Sequence, residues 1–138
     1  MAREFYRFAA DPSLGAPFAG DETWVGIEAG RTSITLDEAE RQHLEAWELD
    51  TGYAEAVGPF SALDTLAASG GYYEVRRGIA ATCPTGNADP PPHLADARAI
   101  SLTAPADVTS SCMEWWGVTL FLDPQDQIRG VALRLGSP

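Results

Sequence analysis

The end of the chain carries the clearest strand-like pattern of side chains. From Glu114 to Leu122 the residues divide into two alternate sets, both of which are mainly apolar. A similar alternation returns from Gln127 to Leu135. A period of two residues is typical of a β-strand. The four residues between the segments, Asp123-Pro124-Gln125-Asp126, form a turn signal with proline at its second position. The sequence therefore predicts a C-terminal β-hairpin whose first strand is covered on both faces.

Three earlier segments also alternate and predict strands. They are Thr23–Glu28, Tyr72–Arg77 and Arg98–Thr103. From Tyr72 onward the strands follow one another, and their connections are too short for the crossovers that parallel pairing requires. Together with the hairpin, these segments predict an antiparallel sheet of four to five strands.

Helical spacing is strongest between Leu36 and Leu49. Thr35 suits the N-cap, and Glu38 three residues later completes a capping box. The apolar residues of this segment recur at Leu36, Ala39, Leu44 and Trp47. A second, shorter helix is predicted from Pro59 or Ser61 to Ala68, and Arg3–Ala10 fits a short helix or an edge strand.

These elements predict one domain over residues 1–138 of the α+β class. In this arrangement two helices pack on one face of the sheet, and the β-hairpin closes the chain. The 45% hydrophobic content is sufficient for a core without metal or disulfide support. No apolar run reaches the ~18 residues that a membrane helix needs, so we expect no membrane span.

The charge narrows the range of partners. The net charge is −11, which repels phosphate backbones and anionic lipid and so disfavours nucleic-acid binding. Acidic residues are concentrated in the predicted Leu36–Leu49 helix, whose outer face is expected to carry Glu38, Arg41, Glu45 and Glu48. The residues expected to bind a partner are Asp37, Glu38, Glu45 and Glu48, with only Arg41 to offset their charge. This face favours a basic protein partner; the alternative is a solvated face that serves solubility only.

Two cysteines, Cys83 and Cys112, lie in loop-like surroundings. A disulfide bond between them would tie the proline-rich loop to the last hairpin and indicate an oxidising compartment. The alternative is two free thiols in the cytoplasm. The first residues lack the apolar core of a signal peptide. We therefore expect a cytoplasmic location, or an extracytoplasmic one if the cysteines are bridged.

The sequence contains no strong catalytic or cofactor-binding motif, so we predict no catalytic residues, no cofactor and no metal site. If the protein is an enzyme, the candidates are His93, Asp96 and Glu114. His93 and Asp96 would share one side of a helical turn. Glu114 precedes two tryptophans, and desolvation beside them would suit a general acid. Whether the chain is an enzyme stays open, with the balance against it.

The C-terminal hairpin also carries a distinctive run of residues: Ser111-Cys112-x-x-Trp115-Trp116-x-Val118-x-Leu120-Phe121-x-Asp123, followed by Ile128-x-Gly130-Val131-x-Leu133. This run resembles the ending of small actinobacterial proteins in which a Ser-Cys-x-x-Trp-Trp hairpin closes the chain. The resemblance implies an actinobacterial source. It carries no assigned activity, so it implies no catalytic residue.

Three functional hypotheses follow from the sequence. The favoured one is an acidic protein-binding domain, for example an immunity-type inhibitor that neutralises a basic toxin or effector. The second is a small-molecule binder or enzyme with a pocket between the sheet and the helices. The third is an exported, envelope-associated domain, which a disulfide bond would favour.

Overall fold

The computed structural model describes residues 1–20, 22–27, 32–49, 61–80, 90–105 and 115–135. These residues form two α-helices, α1 (Ala2–Ala10) and α2 (Ala62–Ala68). They also form six strands: β1 (Glu22–Ile27), β2 (Thr32–Asp37), β3 (Glu74–Arg77), β4 (Arg98–Thr103), β5 (Trp116–Leu122) and β6 (Ile128–Leu135). Short 3-10 turns cover Pro12–Leu14, Glu40–Gln42, Leu44–Trp47 and Pro92–Leu94. The α+β class predicted from the sequence is confirmed.

The six strands form one mixed sheet in the order β2-β1-β6-β5-β4-β3. Every neighbouring pair is antiparallel except β1 and β6, which run parallel with Val25 opposite Val131. The predicted hairpin is confirmed, because β5 and β6 pair antiparallel. The prediction of four to five antiparallel strands is partly wrong. Its argument from connection length applies only to strands that follow each other in the chain, and β1 and β6 do not.

The helices pack on one face of the sheet. In α1, Phe5, Phe8 and Ala9 are buried at helical spacing, and the helix ends at Asp11 before Pro12. Ser61 caps α2 by accepting a hydrogen bond from the backbone N–H of Leu63 at 3.2 Å. The helices meet alternate residues of the central strands in one apolar core. Of the two alternatives for the N-terminal segment, the structure shows the helix.

Among the described residues, two short stretches of chain, around Ala80 and Leu94, cover the other face of the sheet. Thr119 of β5 holds the first of them, because its Oγ1 accepts a hydrogen bond from the backbone N–H of Ala80 at 2.9 Å. Leu94 lies over Gly130, where a β-carbon would come within 2.7 Å of its side chain. Residues 117–122 of β5 are accordingly all buried. The predicted two-sided cover of this strand is confirmed.

The predicted Leu36–Leu49 helix is wrong. Leu36 belongs to β2, where it lies opposite Thr23 of β1. The chain then makes two separate 3-10 turns, divided by the extended backbone of His43. The expected capping box at Thr35 and Glu38 is displaced by two residues, since Asp37 and Glu40 exchange the reciprocal hydrogen bonds instead.

No helix among the described residues is long and apolar enough to cross a membrane. Cys83, Cys112 and Glu114 lie outside the described residues, so the disulfide and the role of Glu114 stay predictions.

Candidate functional site

An acidic surface lies at the sheet edge formed by β2 and continues through the two 3-10 turns that follow. We define it by the exposed residues Asp37, Glu38, Glu40, Glu45 and Glu48. Four of them were predicted as a partner-binding set on one helix. They are exposed residues of one chain segment, 37–48, which is not a helix and in which Arg41 and Trp47 are buried.

The only arginine of this segment, Arg41, is predicted on the outer face with the carboxylates, but it points into the protein instead. Arg41 is 7% exposed. Its guanidinium donates a hydrogen bond to Thr23 Oγ1 at 3.3 Å and lies 4.8 Å from the centre of the Phe18 ring. The backbone carbonyl of Arg41 accepts a hydrogen bond from the indole N–H of Trp47 at 3.0 Å. Arg41 therefore anchors the segment to the core, and its charge is not part of the acidic surface.

The acidic surface is held in a fixed geometry at one end. The carboxylate of Asp37 accepts a hydrogen bond from the backbone N–H of Glu40 at 2.8 Å, and the carboxylate of Glu40 accepts one from the backbone N–H of Asp37 at 3.1 Å. Beside them, Asp37, Glu38, Ala39 and Gln42 line a depression of about 500 Å³. This depression has room for a side chain that projects from a partner.

A second candidate site is a cleft of about 520 Å³ on the sheet face opposite the helices. We call it the Trp24 cleft. Its walls come from the start of β1, the turn between β5 and β6, and the 3-10 turn at Pro92–Leu94. The residues that line it include Glu22, Trp24, His93, Leu94, Asp123 and Arg129.

The half-buried indole of Trp24 is held in place from several sides. The ring centres of His93 and Phe121 lie 5.8 Å and 6.2 Å from that of Trp24, both in edge-on geometry. The end of the indole covers Gly26, two residues further along β1. Aromatic pairs of this geometry are worth about 0.5–1.5 kcal/mol beyond their buried area. The cleft therefore has a fixed aromatic wall.

The charged groups of the Trp24 cleft differ in how far they are already engaged. One carboxylate oxygen of Asp123 accepts hydrogen bonds from the backbone N–H groups of Gln125 and Gln127, both at 2.9 Å. Asp123 therefore shapes the β5–β6 turn. Glu22 and Arg129 form no ion pair with each other, and their side chains have no hydrogen bond to any described residue.

His93 and Asp96, the predicted acid–base candidates, are both exposed and do not share one cleft. His93 lines the Trp24 cleft, whereas Asp96 lines a neighbouring depression in which Arg98 pairs with Asp126. The two depressions share Asp123, Pro124 and Arg129. Among the described residues, no group of three or more His, Asp or Glu side chains is arranged to hold a metal ion.

The sequence analysis did not identify Glu22, Trp24 or Arg129. A signal for Trp24 exists in the sequence, because a tryptophan two residues before a strand glycine can fold over it. The same spacing recurs at Trp115 and Gly117, where a β-carbon would lie 2.8 Å from the Trp115 ring. No comparable local signal marks Glu22 or Arg129.

Comparisons with protein-family models, curated proteins and solved structures find no match for this chain.

Proposed function

We propose that this protein binds a basic protein partner through the acidic surface. The observation that carries the proposal is the burial of Arg41. Because the only arginine of the segment lies against Thr23 and Phe18, the five exposed carboxylates are not offset by it. A surface patch whose charges share one sign attracts a partner of opposite charge and raises the association rate.

The fixed geometry of the segment supports the same proposal. Leu36, Trp47 and Leu49 are buried and anchor the segment at both ends. Asp37 and Glu40 are held by reciprocal hydrogen bonds. Ordering a free side chain at an interface costs about 0.5–1.5 kcal/mol. Carboxylates that are already held lose less conformational entropy when a partner binds.

The shape of the surface favours an arginine or lysine side chain as the partner's anchor. The depression lined by Asp37 and Glu38 has room for such a projecting side chain. Asp37 and Glu40 each use one carboxylate oxygen in their reciprocal hydrogen bonds, so the second oxygen of each is available to a cation. Leu44, which is 40% exposed on the same segment, supplies an apolar contact nearby in the chain. Arginine is among the residues that dominate interface energies.

An immunity-type inhibitor is the finer form of this proposal. A small acidic α+β domain that docks on a basic toxin or effector needs a charged, rigid surface and no catalytic group of its own. This step rests on the size and charge of the domain, and therefore on analogy.

The test is the association rate with the product of the adjacent gene at low and high salt. Replacing Glu45 and Glu48 together by Arg should slow association, and the loss should shrink as salt screens the field. Both residues are exposed, so the free energy of unfolding should change by no more than about 0.5 kcal/mol per site. A partner that binds without salt dependence would contradict the proposal.

A matched pair of single variants separates the position of the charge from its amount. Glu45→Arg and Asp96→Arg change the net charge equally, but Asp96 lies by the β5–β6 turn, outside the acidic surface. The proposal requires a larger loss of association rate for Glu45→Arg. Equal losses would mean that the total charge, not this surface, attracts the partner.

A further inference from the structure

The Trp24 cleft combines an aromatic wall with two charged groups of opposite sign that no described residue engages. Its volume of about 520 Å³ falls within the ~300–1,000 Å³ that ligand sites commonly occupy. Ligand sites typically join apolar walls to a few polar groups that fix orientation. The cleft lies on the face of the sheet opposite the helices, and its residues are distinct from those of the acidic surface.

The neighbouring charges show which groups of the cleft are available to a ligand. Arg98 pairs with Asp126, and Asp123 holds the turn, so these side chains already have partners. Glu22 and Arg129 have none among the described residues. The Trp24 cleft is therefore lined by one free anion and one free cation together with the indole ring of Trp24.

The signs of the charges select the ligand. A simple anion would meet Arg129 but would be repelled by Glu22 and by the net charge of −11. A simple cation would meet Glu22 and Asp123 and would be attracted by the net charge, but it would be repelled by Arg129 and would leave that guanidinium without a partner. A molecule that carries both charges satisfies both side chains, and a planar ring on that molecule can pack against Trp24.

We propose that the Trp24 cleft binds a free amino acid with an aromatic side chain. The ligand's ring packs against Trp24, its carboxylate pairs with Arg129, and its ammonium group pairs with Glu22. Arginine and a carboxylate form paired, charge-assisted hydrogen bonds, which are stronger than neutral ones. The proposal is independent of the acidic surface and of any protein partner.

The test is calorimetric titration of the whole protein with L-phenylalanine and three truncated probes. Phenethylamine lacks the carboxylate, phenylacetate lacks the ammonium group, and L-alanine lacks the ring. Each truncation should weaken binding about tenfold, which corresponds to the loss of one charged or aromatic contact. Phenethylamine or phenylacetate binding as tightly as L-phenylalanine would overturn the two-charge assignment, and equal binding of L-alanine would overturn the role of Trp24.

Two charge-removing variants test which side chain of the protein binds the carboxylate of the ligand and which binds its ammonium group. Arg129→Gln should weaken L-phenylalanine about tenfold but should not weaken phenethylamine, because phenethylamine has no carboxylate to lose and is no longer repelled by the guanidinium. Glu22→Gln should weaken L-phenylalanine equally but should not weaken phenylacetate, which has no ammonium group to lose and is no longer repelled by the carboxylate. Arg98→Gln, which removes the same charge as Arg129→Gln from the neighbouring depression, should leave all four titrations unchanged.

Thermal unfolding and the indole N–H resonance of Trp24 check that each variant is folded, and both substituted side chains are exposed. The proposal is wrong if L-phenylalanine shows no saturable binding with a Kd below about 1 mM. It is also wrong if a folded Arg129→Gln or Glu22→Gln variant binds L-phenylalanine as tightly as the original chain.

Discussion

The indole ring of Trp24 covers Gly26 so closely that a β-carbon at position 26 would lie 2.3 Å from the ring. Both residues belong to β1 and face the side of the sheet opposite the helices. The absence of a side chain at position 26 is therefore what permits the ring to lie along the strand. In this position the ring forms a wall of the Trp24 cleft.

Replacing Gly26 by Ala should destabilise the protein by about 1–3 kcal/mol, because a methyl group overpacks the site and displaces the ring. The free energy of unfolding in urea measures the effect. In a Trp24→Ala background the same substitution should be neutral or stabilising, since alanine suits a strand interior better than glycine by roughly 0.5–1 kcal/mol. An equal penalty in both backgrounds would show that the ring contact is not its cause.

A buried hydroxyl holds the cover of the same sheet face. Thr119 Oγ1 accepts a hydrogen bond from the backbone N–H of Ala80 and lies 3.0 Å from Ser101 Oγ. Thr119→Val removes the acceptor and leaves a buried N–H without its partner. We expect a loss of about 1–3 kcal/mol in the free energy of unfolding.

The matched control for Thr119→Val is Thr35→Val, in the exposed edge strand β2. Its effect should stay within about 0.5 kcal/mol. Amide hydrogen exchange of Ala80 gives a second measurement, because that N–H should exchange faster in Thr119→Val. Unchanged protection of Ala80 would mean that the hydroxyl does not hold this segment.

Local alternation was sufficient to predict most strands. β4 follows the predicted bounds, and the hairpin of β5 and β6 agrees within two residues. These strands are buried on one or both faces, so the period-two pattern of a strand is visible in their sequence. The parallel pairing of β1 with β6 produces no local sequence pattern, because the two strands are separated by most of the chain.

The failed helix shows where local pattern misleads. The segment after Leu36 contains a capping signal and apolar residues at near-helical spacing, but Ala39 and Leu44 are exposed while Trp47 and Leu49 are buried. Burial of Trp47 among the rings of Phe5, Phe8 and Phe18 and the pairing of β2 outweigh the local preference. Helical propensity is a weak prior that tertiary contacts override.

The Trp24 cleft was only partly accessible to sequence analysis. The sequence indicates His93 through its spacing to Asp96, but the neighbours of His93 in the cleft come from distant parts of the chain. Glu22 and Arg129 line the same cleft because β1 pairs with β6. A site assembled by a long-range parallel pair cannot be recognised from local spacing.

The reciprocal bonds of Asp37 and Glu40 allow stability and charge to be separated. Asp37→Ala removes the acceptor for the backbone N–H of Glu40 and should cost about 0.5–2 kcal/mol, as loss of a capping side chain does. Asp37→Asn removes the charge and keeps a hydrogen-bond acceptor, so its cost should be smaller. Chemical denaturation of both variants measures the difference.

Glu38→Ala is the control for this pair of variants. Glu38 is exposed, lies next to Asp37 and makes no hydrogen bond to a described residue. Its replacement removes a charge from the same surface and should change the free energy of unfolding by no more than about 0.5 kcal/mol. If Glu38→Ala destabilises as much as Asp37→Ala, the reciprocal bonds do not hold the turn.

Trp47 and Leu44 belong to one 3-10 turn but contribute very differently to stability. Trp47 is fully buried and packs against three phenylalanine rings at 5.8–6.3 Å between centres, whereas Leu44 is 40% exposed. Trp47→Ala should therefore cost about 3–5 kcal/mol of unfolding free energy, a large share of the 5–15 kcal/mol typical of a domain. Leu44→Ala should destabilise the protein much less, because the partly exposed Leu44 side chain contributes little buried apolar area.

Trp47→Phe separates the ring packing from the hydrogen bond of the same side chain. Phenylalanine keeps most of the apolar contact but cannot donate to the backbone carbonyl of Arg41. Leaving a buried acceptor without its donor costs about 1–3 kcal/mol. In urea denaturation we therefore expect Trp47→Ala to be the most destabilised variant, Trp47→Phe the next, and Leu44→Ala the least. Because Arg41 lies on the preceding 3-10 turn, Glu40–Gln42, Trp47→Phe should also loosen the acidic surface, which amide exchange of Glu40 and His43 would reveal. A Trp47→Phe variant as stable as the original protein, with unchanged exchange at both residues, would show that ring packing holds the turn without this hydrogen bond.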